Sequence, residues 1–227
     1  MQGLTLLWQY RFDILHGIGW TIQIAAGAAL VALILAFVAG LGRMSARRPV
    51  RAVASIYVEF FRGTSALSQL FWLFFVLPYL GISLSPGLCA VVGLGLCFGA
   101  YGAEVVRGAF EAIPRSQRDA LAALNFGRLA GFRTVLLPQA MILITPLFSN
   151  LAIELLKSTS LASLITIPDL TFQAHSIVNR SYDAGPIYLF TAIVYLILAQ
   201  TIARSMRRLE VHLGRGLHPA RAARVRA

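Results

Sequence analysis

From Ile14 to Leu41 the chain carries no formal charge, and His16 is the only titratable side chain in that run. A bilayer's hydrocarbon core is crossed by roughly 20 consecutive apolar residues in a helix. Inside that core each backbone amide and carbonyl must find its partner within the protein, which leaves helices and closed barrels as the spanning structures. A run of this length therefore predicts a transmembrane helix. It is too long for the apolar core of a signal peptide, and no small-residue cleavage site leads into a polar mature domain. The chain is 58% hydrophobic and 13% charged, against about 25% charged residues in soluble domains. The fold class that follows is an all-α integral membrane protein.

Hydropathy and breakers predict five spans: about 18–42, 52–78 (ended by Pro78 and the Gly81–Pro86 turn), 86–108, 139–157 with a kink at Pro146, and 186–206. The loops 79–85 and 158–185 then lie on one side. No internal repeat and no linker divides the chain, so residues 1–210 are expected as one transmembrane domain and 211–227 as a basic tail lying on anionic lipid.

Net charge is +11, and 19 of the 20 basic residues are arginine. Their placement decides against nucleic acid as a partner. Arg43, Arg47, Arg48 and Arg51 follow the first span. Arg107, Arg115, Arg118, Arg128 and Arg133 follow the third, and seven more follow the fifth. Only Arg11 and Arg180 fall in the opposite loops. Basic residues collect in cytoplasmic loops, so the N-terminus is expected outside and the C-terminus in the cytoplasm. Cys89 and Cys97 are eight apart on one apolar segment, two helical turns from each other and too distant to bridge. His16, His175, His212 and His218 have no metal-ligand spacing.

The polar segment between the third and fourth spans is patterned like a folded object. It reads Ile113-Pro114-Arg115-Ser116-Gln117-Arg118-Asp119-Ala120-Leu121-Ala122-Ala123-Leu124-Asn125-Phe126-Gly127 and closes on Val135-Leu136-Leu137-Pro138. Ser116 with Asp119 three residues later predicts a capping box. Ala120 to Leu124 are strong helix formers. Asn125 and Gly127 tolerate left-handed backbone and predict a break there. Leu129, Phe132 and Leu136 recur at helical spacing on a second short helix that packs on the bundle, and Pro138 marks the start of the fourth span. A helix–turn–helix in this position, between spans, predicts a docking surface for a partner working from one side of the bilayer.

This segment resembles the EAA loop of the permease subunits of bacterial ABC importers. Asp119, Ala120 and Leu121 stand at its Glu-Ala-Ala, Asn125 at its glycine, Val135 at its aliphatic position and Leu137-Pro138 at its end. The spacing is kept; the identities depart at Asp119, Leu121 and Asn125. Phe61-Arg62-Gly63-Thr64, Tyr101-Gly102-Ala103-Glu104-Val105-Val106-Arg107-Gly108 and Leu155-Leu156-Lys157-Ser158-Thr159-Ser160-Leu161-Ala162-Ser163 resemble motifs of the polar amino acid subfamily, that of histidine, glutamine and arginine importers. Ser65 and Ser158 depart from its usual proline and aspartate. The subfamily also includes importers of ectoine-type compatible solutes. The resemblance covers roughly residues 15–210. It implies a type I importer permease: five spans, cytoplasmic coupling helices, a bacterial cytoplasmic membrane, a second permease subunit (identical or homologous), an ATPase dimer in the cytoplasm and an external solute-binding protein.

Nothing in the chain predicts catalysis. It has no phosphate-binding loop, so the resemblance assigns ATP-Mg to the partner ATPase. Arg115, Asp119, Ala120, Leu121, Leu124, Asn125, Phe126 and Gly127 are the expected ATPase-docking residues. Charges inside spans are costly and are functional candidates by default. Glu59 with Arg62, Glu104 with Arg107, and Glu154 with Lys157 are three apart and can share a helix face. Each pair reads either as a self-neutralised lock or as part of a polar cavity for a zwitterionic or cationic substrate. Ser158, Thr159 and Ser160 add hydroxyls beside that cavity. Tyr182, Asp183, Asn179 and Arg180 stand in the longer outer loop, as solvated surface or as contacts for the binding protein. Two rival readings are an autonomous carrier or channel, active without ATP, and a non-transporting membrane scaffold in which the intramembrane charges can be neutralised without effect.

Overall fold

The computed structural model describes residues 8–214, without the side chain of Arg128. The basic tail from residue 215 onward lies outside the described residues. Every regular element among the described residues is helical. Helix α1 (Arg11–Arg43) is the predicted first span, extended at its N-terminal end. Helices α2 (Arg48–Gly63) and α3 (Ala66–Phe71) follow. A π-helical turn (Trp72–Val76) and a 3-10 turn (Leu77–Leu80) continue α3. Helix α4 (Pro86–Glu111) starts on Ser85, whose hydroxyl accepts from the Leu88 amide. Then come α5 (Arg115–Ala123), α6 (Arg128–Gly131), a π-helical turn (Phe132–Leu136), α7 (Leu137–Ser158), a 3-10 segment (Thr159–Ile165), α8 (Leu170–Ser181) and α9 (Ala184–Gly214).

Among the described residues, four helical stretches are long and apolar enough to cross a bilayer: Arg11–Arg43, Pro86–Glu111, Leu129–Ile165 and Ala184–Leu213. Helices α2 and α3 make the fifth span when taken together, but they are bent by 103° at their junction. The second span, expected over about 52–78, is therefore a broken one. Thr64 and Ser65 are extended there, so the carbonyls at the end of α2 lose their helical partners. Side chains replace those partners. Thr64 Oγ1 donates to the Phe60 carbonyl at 2.9 Å, and Gln69 Nε2 donates to the Phe61 carbonyl at 3.0 Å and to Thr64 Oγ1 at 2.7 Å. Irregular backbone at membrane depth persists only where its polar groups are re-satisfied in this way.

The core is the α1–α4 contact, and it is built from small residues. Ala28, Ala32 and Ala36 are spaced four apart on α1 and are buried. Opposite them on α4, a Cβ on Gly102 would lie 2.7 Å from Ala36 Cβ, and further along α1 a Cβ on Gly40 would lie 2.8 Å from the Ala103 carbonyl oxygen. Membrane helices gain little from excluding lipid and rely on such close backbone approach. Helix α2 joins this pair through Val58, buried between Ala39 and Ala103, and through the Tyr57 hydroxyl, which donates to the Leu96 carbonyl at 2.8 Å.

The outer segment 158–185 is not an open loop. Leu170, Ala174 and Ile177 form an apolar face on α8 that packs on Ile14 and Ile187. Asp169 begins α8, with one carboxylate oxygen accepting from the Phe172 amide at 2.9 Å. Helix α8 ends on Tyr182 in left-handed backbone at φ 56°. Arg180 comes within 4.0 Å of Asp13, and Arg11 stacks over Trp8 and Phe12 at 4.8 and 4.5 Å. The two arginines set apart by sequence thus belong to the same end of the bundle.

Candidate functional site

At the opposite end, α5 stands clear of the bundle. Its start differs from the expected capping box. Pro114 occupies the N-cap with φ −53° and ψ 141°, and no side chain caps the helix. Proline's fixed φ sets the chain direction two residues earlier than a Ser116 cap would, so Ser116 and Asp119 lie within the helix as exposed side chains. The helix end follows expectation. Asn125 is left-handed at φ 53°, and the Phe126 amide reaches back to the Leu121 carbonyl at 2.9 Å, the six-to-one bond of a Schellman stop.

Arg115, Asp119, Ala120, Leu124, Asn125, Phe126 and Gly127 are all exposed. Leu124 is 70% and Phe126 45% exposed, an uncovered apolar tip on an otherwise polar element. Leu121 turns the other way: its Cδ1 lies 3.2 Å from the Cβ position of Gly131. The EAA-like departure at Leu121 therefore packs within the segment rather than on its outer surface. Arg118 Nη2 donates to the Phe110 carbonyl at 2.7 Å, and the Phe110 ring stacks on Phe132 at 5.3 Å. Helix α5 is thereby tied to the ends of both flanking spans.

The second short helix is not separate. Residues Leu129–Ile165 run as one helical span through Pro138. A proline inside an α-helix lacks the amide and crowds the carbonyl four residues before it. Here the Leu137 amide instead bonds to the Phe132 carbonyl, five residues back. That wider turn relieves the crowding and lets Pro138 sit in the first turn of α7.

The intramembrane charges pair differently from the sequence spacing. Glu104 gathers three arginines. Arg43 contacts Oε1, Arg62 Nη1 lies 3.3 Å from Oε1, and Arg107 donates to Oε2 through Nε at 3.0 Å and Nη2 at 2.9 Å. Arg107 also holds Glu111 at 2.7 Å, and Arg43 lies 4.0 Å from Glu59. Arg62 additionally stands 5.7 Å from the Tyr101 ring centre. Three guanidiniums and three carboxylates thus close on themselves across α1, α2 and α4. The Glu104–Arg107 pair forms as expected. Glu59 with Arg62 and Glu154 with Lys157 do not, because the neighbouring helices offer Arg62 and Glu59 nearer partners. Arg43, at the end of the first span, and Gln69 were not signalled by any local pattern.

Glu154 and Lys157 are exposed, and among the described residues neither has an ion-pair partner. The hydroxyls beside them are turned back on the helix. Thr159 is buried and donates to the Leu156 carbonyl at 2.7 Å, and Ser160 donates to the Lys157 carbonyl at 2.8 Å. Ser158 is half-buried. Beyond the span, Asp169 is fully buried, and burial pushes its carboxyl up to about 6. Its Oδ2 has no hydrogen-bond partner.

Residues 28–213 match the family described as binding-protein-dependent transport system inner membrane component. The chain is 43% identical over 196 residues to a probable amino-acid ABC transporter permease, y4tF, of Sinorhizobium fredii, covering 84% of this chain and 82% of that protein. It is 35% identical over 200 residues to the L-cystine transport system permease TcyB of Bacillus subtilis, covering 88% and 86%. In three dimensions it resembles a subunit in the crystal structure of an amino acid ABC transporter with histidines, with TM-score 0.83, 28% identity, and 90% and 95% of the two chains covered. The match over residues 28–213 and the identity to these amino-acid transporter permeases make this chain a member of the inner-membrane permease family of binding-protein-dependent ABC importers.

Proposed function

We propose that this subunit forms half of the pathway for a polar amino acid or a related zwitterion, paired with a second copy or a homologue. It docks a cytoplasmic ATPase dimer through residues 115–127 and receives substrate from an external binding protein. The observation that carries the substrate reading is the exposed Glu154 and Lys157 on one face of α7, in a bundle whose other intramembrane charges are neutralised against each other. A carboxylate and an ammonium left uncovered on a span are costly against lipid, so they belong on a face that a second subunit closes into a polar cavity. There Glu154 meets the substrate's cationic group and Lys157 its carboxylate. Relatives named for cystine, octopine, arginine and nopaline transport are consistent with a charged amino acid or derivative. The Glu104 cluster acts as the lock that holds α1, α2 and α4 together, with the C-terminus on the cytoplasmic side. Closure of the ATPase pair moves α5, and the Arg118 bond and the Phe110–Phe132 stack carry that motion into the third and fourth spans, an alternating-access step.

The test is reconstitution of this chain with its ATPase and binding protein in liposomes, following ATP hydrolysis together with uptake of arginine, glutamine and ectoine. Uptake that requires ATP, the binding protein and an intact 115–137 segment supports the reading and ranks the substrates. Uptake by this chain alone without ATP replaces it with an autonomous carrier.

A further inference from the structure

The basic residues of this protein fall into two classes. Arg43, Arg62 and Arg107 are held by carboxylates. Arg204, Arg207 and Arg208, near the end of α9, are exposed and have no ion-pair partner among the described residues. With Val211 and His212 they line an open groove of about 430 Å³. Their spacing puts them on one helical face, at i, i+3, i+4, i+7 and i+8. Ile202, Met206 and Leu213 lie on the other side of the helix and are half-buried, so the basic face looks outward. Glu210 is also half-buried on that other side. The sequence beyond Gly214 supplies only arginine and histidine as charged or titratable side chains, with no Asp or Glu.

We propose that this groove is a binding site for the phosphate headgroup of an anionic phospholipid. Depth argues for lipid over a soluble anion. Arg204 is 20 residues beyond Ala184, roughly 30 Å along the helix axis, which is the thickness of the hydrocarbon core. The three guanidiniums therefore stand where the span leaves hydrocarbon and meets phosphates. Guanidinium is the side chain best shaped to hold a phosphate, because its fork of N–H donors matches two oxygens. Val211 gives the groove one apolar wall, as a headgroup on an acyl chain needs. The proposal does not depend on which substrate is carried.

The full chain in neutral detergent is titrated with phosphatidylglycerol, phosphatidylcholine or inorganic phosphate, and retained ligand is counted by native mass spectrometry. Phosphatidylglycerol is retained, and phosphatidylcholine and phosphate are not. An arginine at an anionic surface contributes roughly fivefold in binding, so the triple substitution R204Q/R207Q/R208Q lowers retention by about a hundredfold. R208Q alone lowers it by about fivefold, and serves if the triple variant is not recovered folded. The triple substitution R221Q/R224Q/R226Q removes the same charge from the tail and lowers retention far less than R204Q/R207Q/R208Q does. Equal loss in both triple variants shows diffuse charge attraction and overturns the proposal, as does phosphate binding as well as the lipid. If lipid retention is unchanged while R204Q/R207Q/R208Q blocks assembly with the ATPase, the face docks protein and the proposal falls.

Discussion

Replacing Glu104 with glutamine separates a structural lock from a transport site. The substitution keeps size and shape and removes one negative charge from the centre of three guanidiniums. Its side chain is 20% exposed and Arg43's is 16%, so solvent screens the contact only in part. Removing one partner from a buried ion pair costs about 3–5 kcal/mol. Glu59 and Glu111 still neutralise part of the cluster from positions 74% and 54% exposed, which places the expected loss at the lower end, about 3 kcal/mol. For a chain of this size about 1 kcal/mol moves the melting temperature by 2–4 °C. E104Q should thus melt about 6–12 °C below the parent protein when unfolding in detergent is followed by tryptophan fluorescence. The same substitution in an R43Q background should cost less, because one of the stranded charges has gone; a double-mutant cycle should return a coupling of about 1–3 kcal/mol. E154Q, by contrast, should melt with the parent and lose uptake. If E104Q melts within about 2 °C of the parent, or costs as much without Arg43 as with it, the cluster is not a lock.

Gly40→Ala brings a Cβ to 2.8 Å from the Ala103 carbonyl oxygen, a backbone atom that cannot swing aside, so thermal unfolding should show a loss of about 1–3 kcal/mol. Gln69→Leu removes the donor that serves the Phe61 and Thr64 oxygens at the break in the second span, and the same assay should register about 1–3 kcal/mol. Leu124→Ser with Phe126→Ser should leave the melting temperature unchanged, since both side chains are exposed, while lowering ATPase-coupled uptake at least tenfold. Asp169 binds its proton more tightly in the folded protein than in the unfolded chain, because burial raises it to about 6. The stability it contributes is therefore present below about 4 and lost as pH rises through about 6. Asp169→Asn keeps an acceptor for the α8 cap and removes the buried charge. A pH series of melting curves should show the variant gaining on the parent from about pH 4 to just above 6, with no further gain at higher pH and the parent's advantage confined to the acid side.

The spans were legible because their physics is local. An uncharged run such as Ile14–Leu41 has one way to satisfy its backbone in a bilayer, and the sequence shows it directly. Asn125 was legible for the same reason: it ends α5 through its own backbone angle, φ 53°. The capping box was misread because Ser116 and Asp119 satisfy the pattern while Pro114, two residues earlier, fixes the start of the helix by its ring. Periodicity also treated 158–185 as a loop, because α8 buries only three residues along twelve and its apolar face is too narrow to stand out.

What sequence spacing could not show is the choice among partners. Glu59 and Arg62 are three apart on one helix, and an isolated helix would pair them for about 0.2–0.5 kcal/mol. A cross-helix arrangement that neutralises Glu104, the less exposed carboxylate, relieves a desolvation penalty of several kcal/mol, so Arg62 leaves its helical neighbour for Glu104. The pairing is decided by which carboxylate the fold buries, and burial follows from the small-residue contact of α1 with α4. Glycine and alanine at Ala36, Gly40, Gly102 and Ala103 bring the helices close enough for Arg43 to reach Glu104. The same logic leaves Glu154 and Lys157 without takers: among the described residues no arginine pairs with Glu154, and both side chains are exposed. In the pathway proposed above, these two charges, left unmatched within one subunit, are the ones that a second subunit and a substrate would satisfy.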